Sequence, residues 1–200
     1  HLYGFPFTNN AVSSPALGIV FRVSDVASIV SNTLFAANDL AGTAEGVLWA
    51  GNATIDLIDS TFENNGPVAI WGWTTDLSLD GTTFASNAAG AIHADEGSIS
   101  ATECIFVGQG NKSIRAAAAT LQFADVVFTN NPGGGILAND SSTANLGNVD
   151  FVGNGQAVEL EDCPQIVGSN LLFSANSAHT GAAILSSGSS VELSNALFTA

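Results

Sequence analysis

The sequence predicts an all-β chain wound as a right-handed parallel β-helix, a solenoid of about eight coils of about 22 residues. Three observations predict it. First, Phe7, Phe35, Phe62, Phe84, Phe106, Phe128, Phe151, Phe173 and Phe198 recur at steps of 28, 27, 22, 22, 22, 23, 22 and 25 residues. Second, three places after the Phe stands an amide: Asn10, Asn38, Asn65, Asn87, Gln109, Asn131, Asn154 and Asn176. Third, the run leading into each Phe alternates apolar and polar, as in 55–62 and 77–84, which is strand chemistry. No apolar stripe of helical period with caps is present.

Each element of the coil follows from a column of the repeat. Seven residues before the Phe stand Ile55, Leu77, Ile99, Leu121, Ile166 and Val191, and two later Leu57, Leu79, Ala101, Phe123, Leu146, Gly168 and Leu193. Both columns point inward on one pleat, with Ala144 and Gly168 as imperfect members. Three before the Phe the column turns polar, with Asn32, Asp59, Gly81, Glu103, Asp125, Asn148, Asn170 and Asn195, a corner where such residues tolerate the backbone angles. The Phe then stacks on the Phe of the next coil. The Asn column makes a second corner, its amides bonding to one another and to backbone groups without ladder partners. A second strand follows, with Leu48, Ile70, Ile92, Ile114, Ile136 and Ile184 inward, and then a variable loop such as 95–97 or 140–143. Insertions at 38–48 and 177–180 are expected to bulge outward.

Parallel strands joined by such crossovers are expected to be right-handed. The chain, residues 1–200, is expected to be a single β-helix domain. It begins inside a repeat, stops one residue short of the next Asn and contains no Met, so it reads as a processed chain or a segment of a longer solenoid.

Composition narrows the partners. Charged residues are only 10%, with 18 acidic residues against Arg22, Lys112 and Arg115, a net charge of −15. That charge repels nucleic-acid phosphates and anionic lipid, and no run of about 18 apolar residues is available to span a bilayer as a helix. Cys104 and Cys163 occupy different repeat positions in coils more than one repeat apart, so a disulfide between them is not expected.

The outward column of the second strand carries the candidate contact residues. Trp49, Trp71, His93, Arg115 and Leu137 are each 22 residues apart, and Trp73 shares the face two places beyond Trp71. Aromatic rings beside His and Arg suit either a neighbouring protein surface, including a second copy of the chain, or a sugar ring with an apolar face and hydroxyls. Asp95 and Glu96 near Lys112 and Arg115 have the residue types of a polysaccharide lyase or hydrolase site, but adjacent carboxylates on a loop diverge, and no catalytic residues are assigned. Glu159, Glu161 and Asp162 lack calcium-loop spacing; neither a metal nor a cofactor is expected. Asn52, Asn111 and Asn139 fit the glycosylation acceptor pattern. Thr61 and Thr83 align but are followed by Ile105 and Val127, which is no regular Thr array for ice.

The FxxN repeats, with AGAI at 89–92, GGGI at 133–136 and GAAI at 181–184, resemble the paired FxxN and GGA[ILV] motifs of the chlamydial polymorphic outer-membrane proteins. Similar repeats occur across secreted right-handed β-helix proteins of the pectin-lyase-like superfamily. The resemblance implies an extracellular or cell-surface β-helix with a structural or adhesive role and offers no catalytic residue. The expectation is therefore a rigid non-catalytic rod, associating with itself or with neighbouring protein segments. Carbohydrate binding through the outward row is the alternative, and a polysaccharide-degrading enzyme the third.

Overall fold

The computed structural model describes residues 1–12, 19–40, 46–179 and 181–200. Residues 41–45, where the first expected insertion falls, and Thr180, at the end of the second, lie outside the described residues. The chain is all-β, a parallel solenoid of about 7 turns. Strand pairings among the described residues are parallel and join positions one repeat apart. Ile70–Asp80 pairs with Leu48–Gly51 and Thr54–Ile58 on one side and with Ile92–Thr102 on the other. Thr61–Glu63 lies between Leu34–Ala36 and Thr83–Ala85. Ala11–Val12 and Asp39–Leu40 form a separate two-stranded sheet beside the main one.

The core is the set of inward columns. Ile55, Leu57, Ile70, Ile92, Ile99, Ile114, Leu121 and Ile136 are buried, as are the small residues Ala94, Ala116 and Ala138. The phenylalanines stand in single file. From Phe7 to Phe198 consecutive rings lie 4.5–5.2 Å apart at interplanar angles of 3–12°. This spacing matches that between adjacent strands, because each ring leaves an equivalent residue in the same direction. Burying each ring from Phe35 to Phe173 contributes about 1.5–3 kcal/mol, while Phe198 at the end of the file is exposed.

Beside this file runs the amide ladder. The side-chain Nδ2 of Asn65 donates to Asn87 Oδ1 at 2.8 Å and to the Phe35 carbonyl at 3.0 Å. Asn131 repeats both bonds, to Asn154 Oδ1 at 2.8 Å and to the Phe106 carbonyl at 3.0 Å. Each Oδ1 also accepts a backbone N–H from the preceding coil, as Asn154 Oδ1 does from Asn131 at 3.1 Å. Gln109 fills the rung where Asn is missing: its Nε2 reaches the Phe84 carbonyl at 2.8 Å. The ladder thus serves corner groups that no strand neighbour can reach.

Three corners close each turn, each with a residue of φ between 48° and 67°. The first is the polar column from Asn32 to Asn195. The second falls on the residue before the ladder amide: Asn9, Ala37, Asn64, Ser86, Gly108, Asn130, Gly153 and Ala175. The third column is Asp25, Asn52, Thr74, Glu96, Ala118, Asp140, Asp162 and Gly188. Here the structure corrects the expectation of a loop at 95–97. Ile92–Thr102 is one strand that turns at Glu96 without leaving the ladder, because residues 92–95 and 97–102 keep pairing with both neighbours. Residues 140–142 do leave the ladder, between Ile136–Asn139 and Thr143–Val152.

The position just after a corner faces inward and often carries a short donor. Ser60 Oγ donates to the Ile58 carbonyl at 3.0 Å, Thr75 Oγ1 to Trp73 at 2.9 Å and Ser142 Oγ to Asn139 at 2.6 Å. Both cysteines take this role. Cys104 Sγ donates to the Thr102 carbonyl at 3.2 Å and Cys163 Sγ to the Ala138 carbonyl at 3.3 Å. They are buried and unbridged. Burial pushes the Cys104 thiol up to about 11 and raises that of Cys163 as well.

Candidate functional site

The second strand of each coil turns an apolar residue inward, the register column running Phe21, Leu48, Ile70, Ile92, Ile114, Ile136, Val158 and Ile184, so the next residue faces out. Register places these outward residues over one another: Arg22 against Trp49, Trp49 against Trp71, Trp71 against His93, His93 against Arg115, and Arg115 against Leu137. The column continues through Glu159 to Leu185. Trp73 stands beside it and pairs in register with Gly51 and Asp95.

The three tryptophans differ in availability. Trp49 is half-buried, and the Arg22 guanidinium carbon lies 4.3 Å from its ring centroid, a cation–π contact. The ring also folds back across the Cα of Gly51, where any Cβ would collide with it. Trp71, also half-buried, leans on His93 with ring centroids 4.4 Å apart at 37°. Trp73 is 61% exposed. Only Trp73 is thus largely open to solvent; the structure arranges the other two against neighbours within the row.

Beside Trp71 the surface opens into a cleft of about 350 Å³. Pro67, Val68 and Ile92 give it apolar walls, while Asp39, His93, Asn111, Lys112 and Arg115 supply polar groups. Lys112 Nζ is held by Glu159 at 3.0 Å and Gln156 Oε1 at 3.4 Å. His93 Nε2 lies 3.4 Å from Asp95 Oδ1. Glu96 accepts a hydrogen bond from Thr74 Oγ1 at 3.1 Å, so it serves the corner rather than joining Asp95. Arg115 is exposed, and its side chain makes no hydrogen bond or ion pair among the described residues. A smaller hollow of about 210 Å³ lies on its other side, shared with Asp95, Asn139 and Asp140.

Sequence spacing brought Trp49, Trp71, Trp73, His93 and Arg115 to one face but left out Arg22, Asp39 and Pro67. Arg22 precedes Trp49 by 27 residues, the step that separates Phe35 from Phe62, and that shared step is the signal that finds it. Of the glycosylation-pattern asparagines, Asn52 and Asn111 are exposed and Asn139 is half-buried. Asn52 sits at a third corner with its Nδ2 3.4 Å from Asp25 Oδ1, and Asn111 Oδ1 accepts from the Lys112 N–H at 2.8 Å. Among the described residues no group of three or more His, Cys, Asp or Glu is placed to hold a metal ion. No helix is long and apolar enough to cross a membrane.

Among known families, a model described as a right handed beta helix region matches residues 68–200. The description concerns the fold and carries nothing specific to the chlamydial proteins. No curated protein and no solved structure matched the chain.

Proposed function

We propose that this chain, which belongs to the right-handed β-helix family, is a non-catalytic structural and adhesive element of the cell exterior, a rigid rod that offers its Trp/His/Arg face to a partner. The observation that carries the reading is the concentration of aromatic residues and all three Lys and Arg side chains on and beside one outward row, in a chain of net charge −15. No buried side-chain nitrogen or oxygen among the described residues lacks a partner. The non-catalytic part is supported by the acids near the cleft, since Asp95, Glu96 and Glu159 are each engaged by a neighbouring side chain. The surface location rests on the motif resemblance alone.

Sedimentation of the intact chain over a wide concentration range tests the contact role. Association that disappears in Trp71→Ala and Trp73→Ala supports it. A monomer at every concentration, with tryptophan freely quenched by iodide, counts against self-contact. A second reading, carbohydrate binding without catalysis, is favoured by the cleft beside Trp71, where an apolar wall and hydrogen-bonding groups meet. Titration of tryptophan fluorescence with glycans tests it, and release of reducing or unsaturated sugar ends would overturn the non-catalytic assignment.

A further inference from the structure

We propose that Lys112 and Gln156 become joined by an intramolecular isopeptide bond, made by the folded chain itself with Glu159 as the proton carrier. It is a covalent modification of the scaffold, independent of what the outward face binds.

The three groups that such a bond requires meet at one point. Lys112, the one lysine in the chain, supplies the amine, Gln156 the amide carbonyl and Glu159 the carboxylate. Lys112 Nζ lies 3.0 Å from Glu159 Oε2 and 3.4 Å from Gln156 Oε1. The Gln156 amide is also held from its other end, where its Nε2 donates to the Gly181 carbonyl at 3.4 Å. Its oxygen therefore faces the lysine and its nitrogen faces the next coil. Winding makes the meeting possible, because Lys112 and Gln156 stand 44 residues apart, two coils along the solenoid. The lysine side chain crosses the coil between them at Gly134, where a Cβ would stand 2.9 Å from Nζ and 3.2 Å from Cδ. Gly134 clears that path.

The surroundings favour the reacting form. The Lys112 side chain is only 11% exposed and that of Glu159 23%. Where water is largely excluded, an ion pair loses solvation, and passing one proton across it leaves a neutral amine beside a neutral acid. The neutral amine is the nucleophile, and the fold holds it against one carbonyl, so no bimolecular encounter is needed. Glu159 first takes a proton from the ammonium. The Nζ lone pair then attacks Gln156 Cδ, and the carbonyl electrons move onto Oε1. Glu159 delivers its proton to Nε2 and takes a second one from Nζ. The Cδ–Nε2 bond breaks with its electron pair on nitrogen, and the carbonyl re-forms. Ammonia departs as ammonium with the proton left on Glu159, which ends as the carboxylate it began as. One Nζ–Cδ amide bond replaces one Cδ–Nε2 bond, with no oxidant, reductant or second substrate. The product ties two coils together across a third.

Two measurements on the purified, folded chain test this: its intact mass in denaturant and its tryptic pieces. Trypsin has three sites, after Arg22, Lys112 and Arg115. The expected mass is one ammonia below that of the sequence. Trypsin then cannot cut after the acylated Lys112, so 23–115 stays attached to 116–200 through the new bond. An unlinked chain instead gives 23–112 and 116–200 as separate pieces. Lys112→Arg keeps the positive charge beside Glu159 but removes the amine, and Glu159→Ala removes the proton carrier. Both should show the full mass of their sequences and separate pieces, with circular dichroism confirming the β fold. The parent's mass and digest decide the bond even where a variant fails to fold. Full mass in the folded parent overturns the proposal. Loss of ammonia with the pieces separate marks a succinimide at an Asn-Gly pair and overturns it equally. Loss of water with the pieces joined puts the bond on a carboxylate such as Glu159 and overturns the assignment to Gln156. A joined product that persists in Glu159→Ala overturns the role of Glu159 and points to an external enzyme.

Discussion

Replacing Asn131 by Asp exchanges one amide nitrogen for an oxygen at the centre of the ladder. Asn131 is fully buried, and its Nδ2 donates to the Phe106 carbonyl at 3.0 Å and Asn154 Oδ1 at 2.8 Å. A carboxylate there would face two oxygens with nothing to donate, so the variant folds with the acid protonated. Its folded pKa is then raised above the unfolded value of about 3.9. Protonating it at pH 7 spans about 3 pKa units, about 4 kcal/mol at 1.36 kcal/mol per unit. A carboxylic acid donates one hydrogen bond where the amide donated two, which adds about 1 kcal/mol. The sign follows from proton binding: the native variant holds a proton that the unfolded chain releases, so its stability is fully present below about pH 3.9 and lost as pH rises. Urea unfolding of the variant and the parent, compared at each pH from about 4.5 to 7, should show the deficit growing by about 3 kcal/mol. Asn131→Ala is the control. It strips the Gln109 N–H of its 2.8 Å acceptor and costs about 1–3 kcal/mol at every pH. A pH-independent deficit for Asn131→Asp would refute the assignment of Nδ2 as a donor to two oxygens.

Three further outcomes follow from the same geometry. Ala118→Gly should raise the unfolding free energy by up to about 1 kcal/mol, read as a higher urea midpoint, because Ala118 is exposed and holds φ at 52°, where a Cβ is penalised; a fall in the midpoint would place the strain elsewhere. Phe106→Ala should cost about 3–5 kcal/mol, measured the same way, since the ring is stacked at 4.9 Å and 4.7 Å on both sides. Alkylation at pH 8 should leave Cys104 and Cys163 unmodified in the native chain and label both in denaturant, because the thiolate is the reactive form and burial raises both thiols. Native labelling of Cys104, read by peptide mass, would contradict its burial.

What could be read from the residues was whatever each coil repeats with the same chemistry. Phe62, Phe84, Phe106 and Phe128 keep one identity at a fixed step, and so do the ladder amides, so their superposition was legible. The first corner was legible because Asn, Asp and Gly advertise a left-handed backbone. The third was not: Thr74, Glu96 and Ala118 are ordinary residues held at positive φ by the coils on either side, and tertiary pairing overrides local preference. The outward row followed from alternation wherever coils are 22 long. Arg22 escaped because it lies across the longer 27-residue step to Trp49. The cleft escaped for a different reason. Asp39, Pro67 and Lys112 belong to different coils and lie off the strand columns, so no periodic pattern announces that they meet.

Two rungs of the ladder, Asn65 and Asn154, are followed by glycine, the pairing in which asparagine most readily cyclises to a succinimide and loses ammonia. Cyclisation requires the glycine nitrogen to attack the neighbouring side-chain carbon. In the wound chain those nitrogens are occupied, Gly66 by the Asn38 carbonyl and Gly155 by the Asn131 carbonyl, each at 2.9 Å. Each amide is likewise clamped between coils. Winding therefore guards the chain against its own ageing. A coil that opens and deamidates rewinds at neutral pH with the same loss of stability as Asn131→Asp, because the new acid sits where the rung must donate. Time spent unwound is written into the covalent structure as a one-way mark.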